Sequence, residues 1–85
     1  MIQQSVKLQT KVGLYPPYIS QLVQEASRFH SDIFMTHNGR RVNVKSIMGV
    51  LSLAVSKDAE LTFEASGDDE EEALYQMIRT VESFQ

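Results

Sequence analysis

The chain is 85 residues long, has a formal net charge of −3, and contains no cysteine and no tryptophan. This length suits one small domain over residues 1–85, and the lack of cysteine excludes disulfides, thiol nucleophiles and cysteine-ligated zinc. The acidic balance argues against direct nucleic-acid binding, because phosphate contacts need a basic face. No apolar stretch reaches the roughly 20 residues of a membrane span. The N-terminal segment also lacks the features of a signal peptide, so we expect a cytoplasmic protein that does not bind membranes.

The N-terminal part of the chain predicts a strand followed by a helix. Val6 and Leu8 fall on one face of residues 2–9, which is typical of a half-buried strand. Pro16 and Pro17 disfavour helical backbone before them, so we expect a helix to begin near Pro17. Apolar residues then recur with the spacing of an amphipathic helix: Ile19, Leu22, Val23, Ala26 and Phe29.

The middle of the chain predicts a β-hairpin. The second strand is marked by Ile33, Phe34 and Met35. The dipeptide Asn38-Gly39 favours a type I′ turn, because both central residues of that turn need positive φ. We expect residues 40–44 to form the return strand and Ser46 to cap the apolar segment 47–53.

The C-terminal part predicts one more strand and a helix. Leu61, Phe63 and Ala65 alternate with polar residues, and Gly67 ends this strand. Residues 68–72 are all acidic, and we expect them to cap the last helix, where carboxylates stabilise the positive end of the helix dipole. The buried stripe of that helix is Leu74, Met77, Ile78 and Val81. The order βαββαβα predicts an α+β fold, an open-faced β-sandwich with a four-stranded antiparallel sheet and three helices on one face.

The segment after Ser46 is the most informative for function. A serine at a helix N-cap is common, and capping alone would explain Ser46. The apolar residues that follow cannot all face the sheet from a short helix, so some of them should be exposed. A phosphate on Ser46 would add about −1.5 to −2 charges beside this apolar patch. The pattern therefore favours a docking surface that phosphorylation switches and that a partner with cationic and apolar groups recognises.

Several sequence blocks together resemble one family. They are Val23-Gln24-Glu25-Ala26, Arg28-Phe29, Asn38-Gly39, Val42-Asn43, Lys45-Ser46-Ile47-Met48-Gly49, Ser52-Leu53-Ala54-Val55-Ser56 and Glu72-Ala73-Leu74. These blocks keep their spacing without gaps from about Gln3 to Val81, and they resemble HPr, the small phosphocarrier of the bacterial sugar phosphotransferase system. The resemblance is strongest to the branch called catabolite repression HPr, or Crh. It implies the same open-faced β-sandwich that the periodicity predicts.

The loop after the first strand departs from the phosphocarriers. In that family the loop reads Gly-Leu-His-Ala-Arg-Pro, where the His takes the phosphate and the Arg helps to hold it. Here Tyr15 stands in the position of the His and Pro17 in that of the Arg. A phenol is not a neutral nitrogen nucleophile at pH 7, and no guanidinium remains to bind the phosphoryl group. We therefore predict no catalytic residue, no enzymatic activity and no sugar phosphorelay.

The histidines and the paired aromatic residues have simple interpretations. His30 and His37 do not match the family site, and two isolated histidines are a weak metal signal, so we predict surface residues, no metal and no cofactor. Tyr15 and Tyr18 flank two prolines, and they either form an exposed binding edge or cover the end of the sheet. We favour packing.

The regulatory site of the family is retained. The block from Lys45 to Gly49 matches the serine that an ATP-dependent HPr kinase/phosphorylase modifies in Gram-positive bacteria. The phosphoserine form then acts as corepressor of a LacI-type catabolite control protein. The resemblance thus implies phosphorylation of Ser46 and partner contacts from four neighbours: Lys45, Ile47, Met48 and Leu51. Pro17 is a departure here too, because the family usually keeps an Arg near the regulatory phosphate and the partner surface.

Two alternatives to this regulatory role stay open. One is a phosphotransferase-system phosphocarrier with an atypical acceptor such as Tyr15, and the other is an interaction module that binds without phosphorylation. A homodimer that exchanges the first strand between subunits also stays open.

Overall fold

The computed structural model describes residues 1–84, which form four strands and three helices. The elements are β1 (Ile2–Lys7), α1 (Pro16–Ala26), β2 (Asp32–His37), β3 (Arg40–Asn43), α2 (Ile47–Leu51), β4 (Glu60–Ser66) and α3 (Glu70–Ser83). This order confirms the predicted βαββαβα arrangement. None of these described helices is long and apolar enough to span a membrane.

The four strands form one antiparallel sheet in the order β1-β4-β2-β3. β4 lies between β1 and β2, with Leu61 opposite Val6 and Phe63 opposite Met35. Leu61, Phe63 and Met35 are completely buried in the core. α3 packs against β1 and β4, and α1 packs against both α2 and α3. The helices therefore cover the apolar face of the sheet, as the sequence predicts.

The hairpin is confirmed by its backbone, whereas two strand ends were predicted too long. Asn38 and Gly39 have φ values of 51° and 78°, as a type I′ turn requires. β1 ends at Lys7 instead of residue 9, although Leu8 stays in the core and donates its N–H to the Ala59 carbonyl at 2.8 Å. β3 ends one residue before Val44, which still bonds to the preceding strand. The apolar pattern continues past each strand, because buried loop residues follow the same alternation.

The ends of the helices differ more from the prediction. α1 begins at Pro16 and ends at Ala26, so Phe29 packs on the core from the loop that follows. α3 begins at Glu70, and the Asp69 carboxylate does not cap it. The two oxygens of Asp69 instead accept N–H groups of His30 and Ser31 at 2.8 and 2.9 Å. The prediction that the whole acidic run caps α3 was therefore wrong for Asp69, which ties α3 to the end of the α1–β2 loop.

Candidate functional site

Ser46 forms the N-cap of α2, and its side chain is exposed. Its Oγ accepts the N–H of Gly49 at 3.1 Å, and its carbonyl accepts the N–H of Val50 at 3.1 Å. The backbone before it is held as well, since the Ser46 N–H donates to the Asn43 carbonyl at 3.1 Å. A hydroxyl that accepts one hydrogen bond keeps its own proton and a second lone pair. The cap therefore fixes the position of Oγ and leaves it chemically able to react.

The apolar residues of this segment divide between the core and the surface. Val50 and Leu53 are buried. Ile47, Met48 and Leu51 are 47%, 77% and 43% exposed, which confirms that the segment cannot turn every apolar side chain inward. These three residues are called the apolar α2 surface below. They begin immediately after Ser46, so a group attached to its Oγ would lie at the start of this surface.

The Lys45 ammonium is held by the loop that follows α1. Its Nζ donates to the Phe29 carbonyl at 2.8 Å, and its side chain is partly buried. Its backbone N–H donates to the Asn43 side-chain oxygen at 2.9 Å. Lys45 therefore lies beside Ser46 along the chain, but its ammonium is hydrogen-bonded to a carbonyl of a different segment.

The two arginines of β3 lie in different places. Arg40 donates to the Ser52 carbonyl at 3.0 Å and to the Ser52 Oγ at 3.4 Å, just beyond the C-terminus of α2. A cation at this end of a helix is favoured by the dipole. Arg41 instead pairs with Glu64 at 2.9 Å and lies over the Phe34 ring at 3.8 Å. Only Arg40 is thus bound to the α2 segment itself.

The aromatic residues beside the prolines pack in a chain that reaches the C-terminal end of α3. The rings of Tyr15 and Tyr18 meet edge to face at a centroid distance of 4.6 Å. On its other side Tyr18 stacks on Phe84 at 4.2 Å, and Phe84 is buried. The packing interpretation therefore holds for Tyr18, whereas Tyr15 stays 40% exposed.

The N-terminus of α1 has few groups with which to bind an anion. Pro16 and Pro17 occupy its first two positions, and proline has no N–H. The next two amides, of Tyr18 and Ile19, both donate to the Tyr15 carbonyl, at 2.9 and 3.0 Å. Helix N-termini bind phosphate through free N–H groups. The four leading positions of α1 offer none, and the structure places no arginine among them.

Three residues near the N-terminus of α3 carry groups of the kind that bind cations. Ligand atoms of His30, Asp68 and Asp69 all lie within 4.8 Å of one another. Hydrogen bonds from the Ser31 side chain and the His30 backbone lower the pKa of the Asp69 carboxyl from 3.8 to about 2. Both Asp69 oxygens therefore already have structural partners, with which a metal would have to compete. His37 lies apart, with its Nδ1 3.5 Å from the Glu60 carbonyl.

Comparison with known proteins identifies the family. The family described as "PTS HPr component phosphorylation site" matches residues 2–83. The HPr-like protein Crh of Bacillus subtilis is 48% identical over 82 residues, which cover 96% of each chain. This chain belongs to the HPr family. Within that family it is similar to Crh, as its sequence blocks suggested.

Solved structures of the HPr family match the fold closely. A crystal structure of HPr from Thermoanaerobacter tengcongensis has a TM-score of 0.93 and 38% identity, with 98% of this chain and 93% of that one covered. A crystal structure of B. subtilis Crh, whose swapped domain forms a dimer, has a TM-score of 0.79 and 46% identity, with 100% and 98% covered. The sheet order and helix placement described above are therefore those of an HPr-like protein.

One residue of this HPr-like site was not assigned a role from the sequence. Gly49 lies inside α2, and a Cβ built on it would lie 3.3 Å from the Ser46 Oγ. A glycine within such a short apolar helix is itself an unusual choice, because glycine weakens helices. That signal is present in the sequence, but only the folded structure shows that the Ser46 Oγ lies beside it.

Proposed function

We propose that this HPr-like protein is a non-enzymatic regulator of carbon catabolite repression, switched by phosphorylation of Ser46. In this role HPr kinase/phosphorylase modifies Ser46, and the phosphorylated form acts as corepressor of a LacI-type catabolite control protein. The observation that carries the proposal is the exposed Ser46 hydroxyl at the start of the apolar α2 surface. The proposed role is cytoplasmic, because it requires ATP and a DNA-binding partner.

Phosphorylation would change the charge of this surface without requiring the fold to change. The backbone around Ser46 is held by bonds to Asn43 and Val50 that do not involve its Oγ. A phosphate would therefore add about −1.5 to −2 charges to a segment that stays in place. Beside that charge lie apolar side chains that are exposed in either state. A partner that requires both features distinguishes the two forms mainly through the phosphate.

The cation that recognises the phosphate would have to come mainly from the partner. Pro17 supplies no guanidinium, and the Lys45 ammonium is bound to the Phe29 carbonyl at 2.8 Å. A partner arginine could bind the phosphate with two parallel hydrogen bonds. Ile47, Met48 and Leu51 would then fill an adjacent apolar groove, with Lys45 as a flanking charge.

The phosphorylation step can be tested by intact mass. The protein is incubated with HPr kinase/phosphorylase and ATP, together with Ser46→Ala and Ser52→Ala variants. Ser52 is the matched control, because it is also an exposed serine at an end of α2. We expect one phosphate on the wild type and on Ser52→Ala, and none on Ser46→Ala. Labelling that persists in Ser46→Ala would refute the proposed site.

The corepressor step is tested with the LacI-type protein on its operator DNA. We expect phosphorylated protein to strengthen operator binding, and Met48→Ala to weaken that effect at least about tenfold, as for a central contact residue. Val12→Ala is the control, because Val12 is 63% exposed but lies outside α2. Equal effects of phosphorylated and unmodified protein would favour the phosphorylation-independent module instead.

The phosphocarrier alternative has less support. Tyr15 would have to accept phosphate beside a helix whose first two residues are prolines. Incubation with phosphoenolpyruvate and the first enzyme of the phosphotransferase system tests this directly. We expect no labelling, and a phosphotyrosine at Tyr15 would overturn that expectation.

The proposal also includes a homodimer, which is suggested by the structure of a similar protein. The similar Crh structure is a domain-swapped dimer. In this chain β1 is an edge strand, paired only with β4 among the described strands. Light scattering across a concentration series tests for a dimer. Deletion of residues 1–7 should abolish a dimer that exchanges β1.

A further inference from the structure

Gly49 occupies a position where the backbone does not require glycine. It lies in the middle of α2, and its φ is not positive. Glycine weakens the interior of a helix relative to alanine, because it loses more conformational freedom on folding. The reason for a glycine here must therefore lie in the space around its Cα.

The nearest atom in that space is the Ser46 Oγ. A Cβ at position 49 would lie 3.3 Å from the Ser46 Oγ and 3.5 Å from both the Ser46 Cβ and the Val42 Cβ. The first distance is tighter than an ordinary van der Waals contact, whereas the other two are ordinary. The Gly49 N–H also donates to the same Oγ at 3.1 Å. Gly49 thus holds the hydroxyl through its backbone and leaves one side of it open.

An open side matters for phosphoryl transfer. In that step the Ser46 Oγ forms a bond to the γ-phosphorus of ATP, and the bond from that phosphorus to the β–γ bridging oxygen breaks. ADP leaves, and the hydroxyl proton passes to a base of the kinase. The product carries a phosphorus and three oxygens next to Oγ. A methyl group 3.3 Å from Oγ would occupy part of the volume through which they arrive.

The other exposed serine of this segment has no such freedom. The Ser52 Oγ donates to the Gly49 carbonyl at 2.6 Å and accepts from the Arg40 guanidinium at 3.4 Å. Its proton and one lone pair are therefore both engaged. The Ser52 Oγ is thus engaged both as donor and as acceptor, whereas the Ser46 Oγ accepts one hydrogen bond.

We infer that Gly49 is a positioning residue for the phosphorylation of Ser46. Its N–H orients Oγ, and its lack of a side chain keeps the path of the phosphoryl group open. This inference rests on the proposed function, since it concerns the same serine.

The test compares kinase kinetics on the wild type, Gly49→Ala, Val42→Gly and the double variant Val42→Gly/Gly49→Ala, since only glycine at position 42 removes the Val42 Cβ. We expect Gly49→Ala to lower kcat/KM about tenfold or more, because small misplacements of reacting groups are costly. The loss should fall on kcat, since docking through the apolar α2 surface is unchanged and KM should stay similar. Val42→Gly should be phosphorylated at the wild-type rate, and the double variant should be as slow as Gly49→Ala. Circular dichroism melting should show that all four proteins fold.

Two outcomes overturn the inference. One is Gly49→Ala that is phosphorylated at the wild-type rate. The other is a double variant restored to that rate, which would mean that Gly49 serves packing against Val42 alone.

A second arm does not depend on the kinase. Phosphoserine is incorporated at position 46 during translation, in chains with glycine or alanine at position 49. We expect the change in melting temperature caused by the phosphate to be less favourable with alanine at position 49 than with glycine, and equal changes refute the steric argument. A wild-type chain that no HPr kinase phosphorylates refutes the proposed function instead, and this second arm still tests the space beside Ser46.

Discussion

The carboxylate of Asp69 accepts hydrogen bonds from both the backbone N–H and the hydroxyl of Ser31. A third bond comes from the His30 N–H at 2.8 Å. Ser31 is almost fully buried, and a Cβ on Gly67 would lie 2.5 Å from its Oγ. The segment before α3 and the loop before β2 are therefore joined at one carboxylate, in a place with no room for a larger residue at position 67.

This arrangement predicts a dependence of stability on pH. The hydrogen bonds from the Ser31 side chain and the His30 backbone lower the pKa of Asp69 from 3.8 to about 2. A carboxyl whose pKa is lower in the folded state stabilises the fold fully above its unfolded pKa. That stabilisation is lost as the pH falls from about 4 toward about 2. We expect Asp69→Asn to lower the melting temperature at pH 6, and the difference from wild type to shrink toward pH 2.

The control for this prediction is Asp68→Asn. Asp68 is exposed, and its nearest ionic partner is the His30 ring at 3.9 Å. We expect this variant to melt close to the wild type from pH 2 to pH 6. A difference in melting temperature between Asp69→Asn and the wild type that stays constant with pH would show that the destabilisation comes from altered packing and not from the lost charge.

A second prediction separates two ways in which replacing a glycine lowers the free energy of unfolding. Gly13 and Gly39 have nearly equal φ values of 79° and 78°. A Cβ on Gly39 meets nothing within 4 Å, whereas a Cβ on Gly13 would lie 2.6 Å from the Val55 carbonyl oxygen. Gly39→Ala should therefore cost only the left-handed backbone penalty of about 1 kcal/mol. Gly13→Ala should cost at least about 2 kcal/mol more, in the range of overpacking.

Urea unfolding measures both values. Equal costs for the two glycine variants would mean that the Gly13 loop moves freely away from Val55. That result would contradict the hydrogen bond that the Leu14 N–H donates to the Val55 carbonyl at 3.0 Å.

Local patterns in the sequence were sufficient to predict the order of the elements and the exposed part of α2. The alternation around Leu61 predicts β4, and five apolar residues in a short helix imply that some are exposed. The role of Asp69 could not be predicted in this way. Its partners lie 38 and 39 residues away, so the local rule that acids cap helices was the natural but incorrect choice.

Long-range geometry also explains what was missed at the site. The sequence shows Lys45 next to Ser46, but only the fold brings the Phe29 carbonyl to its ammonium. Likewise the sequence alone does not show which atoms lie beside Gly49, because these neighbours depend on the fold of α2. Site residues can be proposed from spacing and resemblance, whereas their partners depend on contacts across the fold.

A third prediction concerns the packing of the chain's C-terminal region. Phe84 is buried and stacks on Tyr18 at 4.2 Å. Phe84→Ala should therefore destabilise the protein by about 3 kcal/mol, as for other buried aromatic residues. Tyr75→Ala is the control, because Tyr75 is 62% exposed, and it should change stability by no more than about 0.5 kcal/mol. Similar unfolding free energies for the two variants would show that the Tyr18–Phe84 stack contributes little.

The last prediction asks what the Tyr15 loop lacks as a phosphocarrier site. Tyr15→His supplies a nitrogen nucleophile, and Pro17→Arg supplies both a guanidinium and one backbone N–H at the start of α1. With phosphoenolpyruvate and the first enzyme of the phosphotransferase system, we expect no labelling of the wild type and slow labelling of Tyr15→His. The double variant should be labelled at least about tenfold faster, because donors aimed at a transferring phosphoryl group contribute strongly.

The chemistry of the label provides the control for this experiment. Phosphohistidine is acid-labile, so acid treatment should remove the label from both His variants. If the double variant is no faster than Tyr15→His, then Pro17 is not what closes the site to phosphate. The exposed edge of the loop near Tyr15 would then have to exclude the enzyme itself, and a measurement of binding between the double variant and the unphosphorylated enzyme would test that explanation.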